Sequence, residues 1–123
     1  MNRVKLAVLS LVLGSGVSLA GECVRPEVPS LPDGGSASME DMLAGQKAVK
    51  TFQTANLEYM SCLERDMKKA EEATLKGSKD EMEAAQSNYQ AAVERYNAAV
   101  SQEEEVAGQF NTEIREYKAA NPG

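Results

Sequence analysis

The chain has 123 residues, which is enough for one small domain at most. Its 19 acidic residues outnumber its 13 basic residues, and this balance argues against nucleic acids and anionic membrane surfaces as primary partners, because both attract basic proteins. The sequence contains no histidine, which removes the commonest general base, metal ligand and catalytic-triad partner.

Residues 1–20 predict a secretory signal peptide. Arg3 and Lys5 make the start of the chain basic, and a short apolar run follows over residues 6–13. Small residues come next and favour cleavage after Ala20. A retained membrane anchor is the alternative, but the apolar run is much shorter than the roughly 20 residues that span a bilayer.

The mature protein would be more acidic and would keep two cysteines. Cleavage removes two of the 13 basic residues, so 11 stand against 19 acidic ones and the net charge becomes −8. Lipidation of Cys23 is disfavoured, because Glu22 separates it from the small residues that a lipidated cysteine follows directly. In an oxidising compartment, Cys23 and Cys62 predict one disulfide, with two free thiols as the alternative.

Residues 21–37 predict an extended leader. Three prolines between positions 26 and 32 favour a polyproline-like backbone and exclude a helix. The run Pro32-Asp33-Gly34 predicts a turn. The side chains expected to face inward are those of Val24, Val28 and Leu31.

A first helix is predicted over residues 39–76. Ser36 and Ser38 are its candidate N-caps, and Gly77 is suited to the left-handed position that ends a helix. Hydrophobic residues recur at steps of three, four or seven and form one stripe. The stripe consists of Met42, Val49, Phe52, Tyr59, Leu63, Met67 and Ala70.

A second helix is predicted over residues 79–119, followed by a tail over residues 120–123. Ser78 and Glu81 match a capping box, in which each side chain bonds the backbone amide of the other residue. The stripe of this helix consists of Met82, Ala85, Tyr89, Val93, Tyr96, Val100, Ala107, Phe110, Ile114 and Tyr117.

Together these patterns predict an all-α protein, a coiled-coil-like antiparallel hairpin of two helices over residues 38–119, because a short turn joins helices of nearly equal length. Partner positions across the hairpin should sum to about 155. The resulting pairs are Tyr59 with Tyr96, Leu63 with Val93, Met67 with Tyr89, and Met42 with Ile114. Gly45 falls opposite Gly108, and the two glycines mark either a close approach of the backbones or two tolerated surface positions.

The leader is long enough for the predicted disulfide. Cys62 lies about 36 Å of helix away from Ser38, whereas the segment from Cys23 to Ser38 reaches about 46 Å as polyproline II. The leader can therefore run back along the first helix, in the groove of the hairpin. The closed loop would stabilise the fold by roughly 3–4 kcal/mol in the chain-entropy model.

Candidate chemical groups are few. Glu103, Glu104 and Glu105 point about 100° apart on a helix, so they indicate a solvated face rather than an acid–base pair. Met39 and Met42 have the spacing of a possible copper(I) pair, but methionine is also an ordinary core residue. The aromatic residues lie on the predicted inner stripes, where packing is the default and ligand stacking is the alternative.

Several short runs resemble a group of proteins. They are Cys23-Val24-Arg25-Pro26, Pro29-Ser30-Leu31-Pro32-Asp33-Gly34, Val49-Lys50-Thr51-Phe52 and Tyr59-Met60-Ser61-Cys62-Leu63-Glu64. With them the chain is similar to small exported helical proteins of Gram-negative bacteria that have no assigned function. The resemblance implies a periplasmic location and the pair Cys23–Cys62, and it supplies no catalytic residues.

The sequence therefore predicts a non-enzymatic periplasmic protein that acts through protein–protein contacts, as a scaffold, adaptor or chaperone-like binder. The long apolar stripes favour a protein partner or self-association, and no cofactor is expected. The alternative is a module that binds a small ligand or a metal through the inner aromatic residues and Met39 and Met42.

Overall fold

The computed structural model describes residues 22–123, which form an extended leader and two long helices. Helix α1 spans Met39–Ala73 and helix α2 spans Lys79–Ala120. The two helices pack against each other as a hairpin, so the predicted all-α architecture is confirmed. The predicted signal peptide and its cleavage site lie outside the described residues.

The start of α1 is fixed by a capping box. The Ser38 side chain accepts a hydrogen bond from the Asp41 amide at 3.1 Å, and the Asp41 carboxylate accepts one from the Ser38 amide at 3.2 Å. Ser36, the other candidate cap, instead donates its hydroxyl to Asp33 within the leader turn. Ser38 therefore ends the leader and begins the hairpin.

The end of α1 comes three residues before the predicted end at Lys76. After Ala73 the amides of Leu75 and Lys76 bond to carbonyls three residues back, which tightens the backbone into a turn. Gly77 then adopts a φ of 98°, in the left-handed region that glycine tolerates. The chain can therefore reverse direction within a few residues.

Helix α2 begins with half of the predicted capping box. The Ser78 hydroxyl accepts a hydrogen bond from the Glu81 amide at 3.3 Å. The Glu81 carboxylate does not return the bond to Ser78 but lies beside Gly77. At the other end of α2, the Asn121 side chain donates to the Tyr117 carbonyl at 2.9 Å and caps the last turn.

The core between the helices consists of two hydrophobic clusters. Cluster one contains Met42, Val49, Phe52, Val106 and Phe110, with Leu31, Ala37, Ile114 and Tyr117 packed against it. Cluster two contains Tyr59, Met60, Leu63 and Ala99, with Cys23, Met67, Tyr96 and Val100 packed against it. The predicted pairs Met42–Ile114 and Tyr59–Tyr96 thus each share a cluster, which agrees with the predicted register.

One expectation about the stripes is wrong, and the open question about the two glycines is decided. Tyr89 was expected inside, opposite Met67, but it is 38 % exposed and belongs to neither cluster. Of the two alternatives for the glycines, Gly108 fits the tolerated surface position, because a Cβ on Gly108 would meet no atom within 4 Å. Gly45 instead faces Phe110 and the Pro32 ring, so its missing side chain makes room for the leader.

The leader lies along the hairpin as predicted, but mostly with other residues facing inward. Val24 is 71 % exposed and Val28 is 47 % exposed, and of the three expected residues only Leu31 packs on the core. Apart from Leu31, the half-buried positions between residues 22 and 32 recur every third residue, which is the repeat of polyproline II. They are Cys23, Pro26, Pro29 and Pro32.

Candidate interaction surface

The leader occupies the groove between the two helices along one part of the hairpin. Near its start, the Arg25 guanidinium donates to the Gln102 side chain of α2 at 3.2 Å. Near its end, the Pro32 ring packs against Gly45 of α1. The groove therefore accepts an extended, proline-containing segment whose inward positions repeat every three residues.

A disulfide between Cys23 and Cys62 joins the start of the leader to the middle of α1. The two Cα atoms are 5.6 Å apart, and this linkage was predicted from the pair of cysteines. The Asp66 carboxylate lies 3.2 Å from the sulfur of Cys23. Because both sulfurs are committed to the disulfide, these three residues are not a metal site despite their close approach.

Beyond the disulfide, the same groove continues toward the turn and is open. Asp66 and Lys69 lie one and two helical turns beyond Cys62, and Arg95 lies two turns from Gln102. The open part has a volume of about 440 Å³. Its lining residues are Asp66, Lys69, Ala70, Ala73, Ala85, Asn88, Ala91, Ala92 and Arg95.

The open groove has an apolar floor and a charged rim. Ala70, Ala85 and Ala92 are buried between the helices, and their small side chains leave the groove unfilled. At the same end of the hairpin, Leu75 is 80 % exposed and Tyr89 is 38 % exposed. This end of the hairpin thus combines exposed apolar surface with charges of both signs.

Beside the disulfide, Tyr96 of α2 lies next to Glu64 of α1. The hydrogen bond of the Tyr96 hydroxyl to the Glu64 carboxylate raises the pKa of Tyr96, and the negative charge of Glu64 raises it further. This contact links the two helices at cluster two.

The structure brings together three carboxylates whose grouping was not predicted from the sequence. Oxygens of Asp33, Glu113 and Glu116 lie within 4.8 Å of one another where the leader turn crosses α2. Two of these residues lie one turn apart on a helix, and that spacing could have been noticed. The contribution of Asp33 depends on the path of the leader, which no local pattern gives.

The residues that the sequence suggests for ligand chemistry are divided between the core and the surface. Met42 is buried in cluster one, whereas Met39 is 64 % exposed. The aromatic residues Phe52, Tyr59 and Phe110 are core residues. Glu103 is half-buried and its two acidic neighbours are exposed, so the three residues do not share one environment.

None of the helices within residues 22–123 is long and apolar enough to cross a membrane. Comparison of the chain with protein-family models, with curated proteins and with solved structures gives no match.

Proposed function

We propose that this chain is a non-enzymatic periplasmic protein, made with a signal peptide, whose coiled-coil-like hairpin acts as a scaffold, adaptor or chaperone-like binder. The observation that carries the proposal is the groove, which the leader fills up to Cys23 and which continues, open, to the turn. The occupied part already holds an extended segment of polypeptide. The open part offers a continuous alanine floor to a second segment.

The rim residues indicate how a partner segment would be held. Asp66, Lys69 and Arg95 stand along the open groove and can pair with charges of either sign. Leu75 and Tyr89 add exposed apolar surface near the turn. A disulfide agrees with an oxidising compartment, where a partner would belong to the cell envelope.

Site-specific photo-crosslinking in the cell envelope tests this proposal. A photoreactive residue at Ala91 would face the open groove, whereas one at the exposed neighbour Gln90 lies outside the groove lining and is the matched control. We expect a defined adduct with another polypeptide from position 91 and none from position 90. An adduct of twice the chain mass would identify the partner as a second copy. Equal labelling from both positions, or none, would contradict the proposal.

The alternative, a module for a small ligand or a metal, gains no specific support from the geometry. Its thioether pair is divided between the core and the surface, because Met42 is buried and Met39 is exposed. Within residues 22–123, neither the groove with its mixed charges nor the aromatic core forms an enclosed cavity with converging polar groups.

A further inference from the structure

The turn at the end of the leader rests directly on the backbone of α2. Gly34 is buried, and its amide donates to the Glu113 carboxylate at 3.4 Å. A Cβ on Gly34 would overlap the Glu113 carbonyl and come within 2.9 Å of the Tyr117 amide nitrogen. The turn therefore either docks closely on this helix or does not dock at all.

Docking of the turn brings a third carboxylate to a pair on α2. Glu113 and Glu116 lie one turn apart on the helix, and Asp33 of the turn joins them with its oxygens within 4.8 Å. Asp33 cannot turn away freely, because its side chain accepts hydrogen bonds from the Gly35 amide and the Ser36 hydroxyl. Three negative charges at this distance repel one another unless one of them is neutralised.

We propose that Asp33, Glu113 and Glu116 form a pH-sensitive latch, in which a proton on Glu116 fastens the leader turn to α2 and loss of that proton loosens it. Protonated Glu116 donates a hydrogen bond to Glu113, while Glu113 keeps its bond from the Gly34 amide. The disulfide holds the other end of the leader at Cys62, so only the turn end responds.

The direction in which its surroundings shift the pKa of Glu116 agrees with this arrangement. The side-chain hydrogen bond with Glu113 raises the pKa of Glu116, and the charge of Glu113, burial and the charge of Asp33 raise it further. The part of this pKa shift that is due to Asp33 exists only while the turn is docked. Docking of the turn and proton uptake by Glu116 are therefore linked. A pKa that is higher in the docked state means that docking is strongest in acid and weakens as the pH rises through that pKa.

The other charged groups around the latch do not offset the repulsion. On α2, the Arg115 guanidinium donates to the Thr112 hydroxyl. At the start of α1, Asp41 is engaged with Ser38 in the capping box. None of the causes that shift the pKa of Glu116 is a cation. Loosening of the turn would uncover the part of cluster one on which Leu31 and Ala37 pack.

Nuclear magnetic resonance of the oxidised protein tests the latch. Backbone heteronuclear NOEs of residues 33–37 and the side-chain carboxyl shift of Glu116 would be followed from about pH 8 to about pH 4. We expect the NOEs of the turn to rise as Glu116 takes up its proton, with the same midpoint. NOEs that stay constant across this range would overturn the proposal.

Three variants separate the latch from general effects of acid. In Glu116→Gln the turn should stay ordered at every pH, because glutamine imitates the neutral acid. In Glu104→Gln, a change at an exposed position of the same helix, the pH dependence should remain. In Gly34→Ala the turn cannot dock, so the pKa of Glu116 should fall relative to the unsubstituted protein. A pH dependence that persists in Glu116→Gln, or an unchanged pKa in Gly34→Ala, would refute the latch.

Discussion

The side-chain amide of Asn56 donates a hydrogen bond to the backbone carbonyl of Ala99 at 3.0 Å, across the interface between the two helices. Asn56 is only 2 % exposed and lies between the two hydrophobic clusters. A single buried polar contact of this kind can fix the register of packed helices, since a slip of one position would leave the amide without a partner. The two residue numbers sum to 155, the value that the stripes predict.

Replacement of Asn56 should therefore weaken the hairpin. Asn56→Ala loses the hydrogen bond and leaves a small void, so we expect the free energy of unfolding to fall by about 1–3 kcal/mol. Urea denaturation of the oxidised protein measures this loss. Thr54→Ala, which removes an exposed bond to the carbonyl of Lys50, should change the stability by less than about 0.5 kcal/mol. Equal effects of the two substitutions would show that Asn56 has no special role.

The hairpin and its register were predictable because they depend on local patterns. Hydrophobic stripes with helical spacing locate both helices, and the short turn at Gly77 then makes the pairing of the helices a matter of counting. The disulfide followed from two cysteines and the reach of the leader. These inferences needed no knowledge of how the leader crosses the helices.

The inward face of the leader was predicted wrongly for a definite reason. Hydrophobicity alone favours Val24 and Val28 as inward residues, whereas a polyproline-like segment presents every third residue to the same side. Counting by three from Cys23 reaches Pro26, Pro29 and Pro32, which are half-buried. The latch at Asp33 was missed because it depends on where this segment meets α2.

Substitution by alanine should have opposite effects on protein stability at the two mid-helix glycines. Gly108 has open space around it, so Gly108→Ala should stabilise the protein by about 0.5–1 kcal/mol through helix propensity alone. At Gly45 a Cβ would lie 2.7 Å from the Pro32 ring, so Gly45→Ala should destabilise the protein by about 1 kcal/mol or more. Thermal or urea unfolding of both variants checks this. Stabilisation by both would mean that the leader does not pack at Gly45.

The disulfide should contribute most of the stability that the leader adds. It closes a loop with a sequence separation of 39, for which the chain-entropy model gives about 4 kcal/mol. In the double variant Cys23→Ser/Cys62→Ser, the free energy of unfolding measured by urea denaturation should be lower by an amount of this order. Addition of a reductant to the unsubstituted protein should give the same loss, and the double variant should not respond to it. A loss below about 1 kcal/mol would show that other contacts hold the leader.

The contact of Tyr96 with Glu64 predicts a loss of stability in alkali. The hydrogen bond to Glu64 and the negative charge of Glu64 hold the pKa of Tyr96 above the ordinary value of about 10. The contact therefore stabilises the fold below about pH 10, and its contribution disappears as the pH rises through the raised pKa. Glu64→Gln removes the charge and should lower the pKa of one tyrosine in an ultraviolet absorbance titration. Tyr96→Phe should delete that same titration step, which identifies the residue. If Glu64→Gln leaves every tyrosine midpoint unchanged, the two side chains are not in contact in solution.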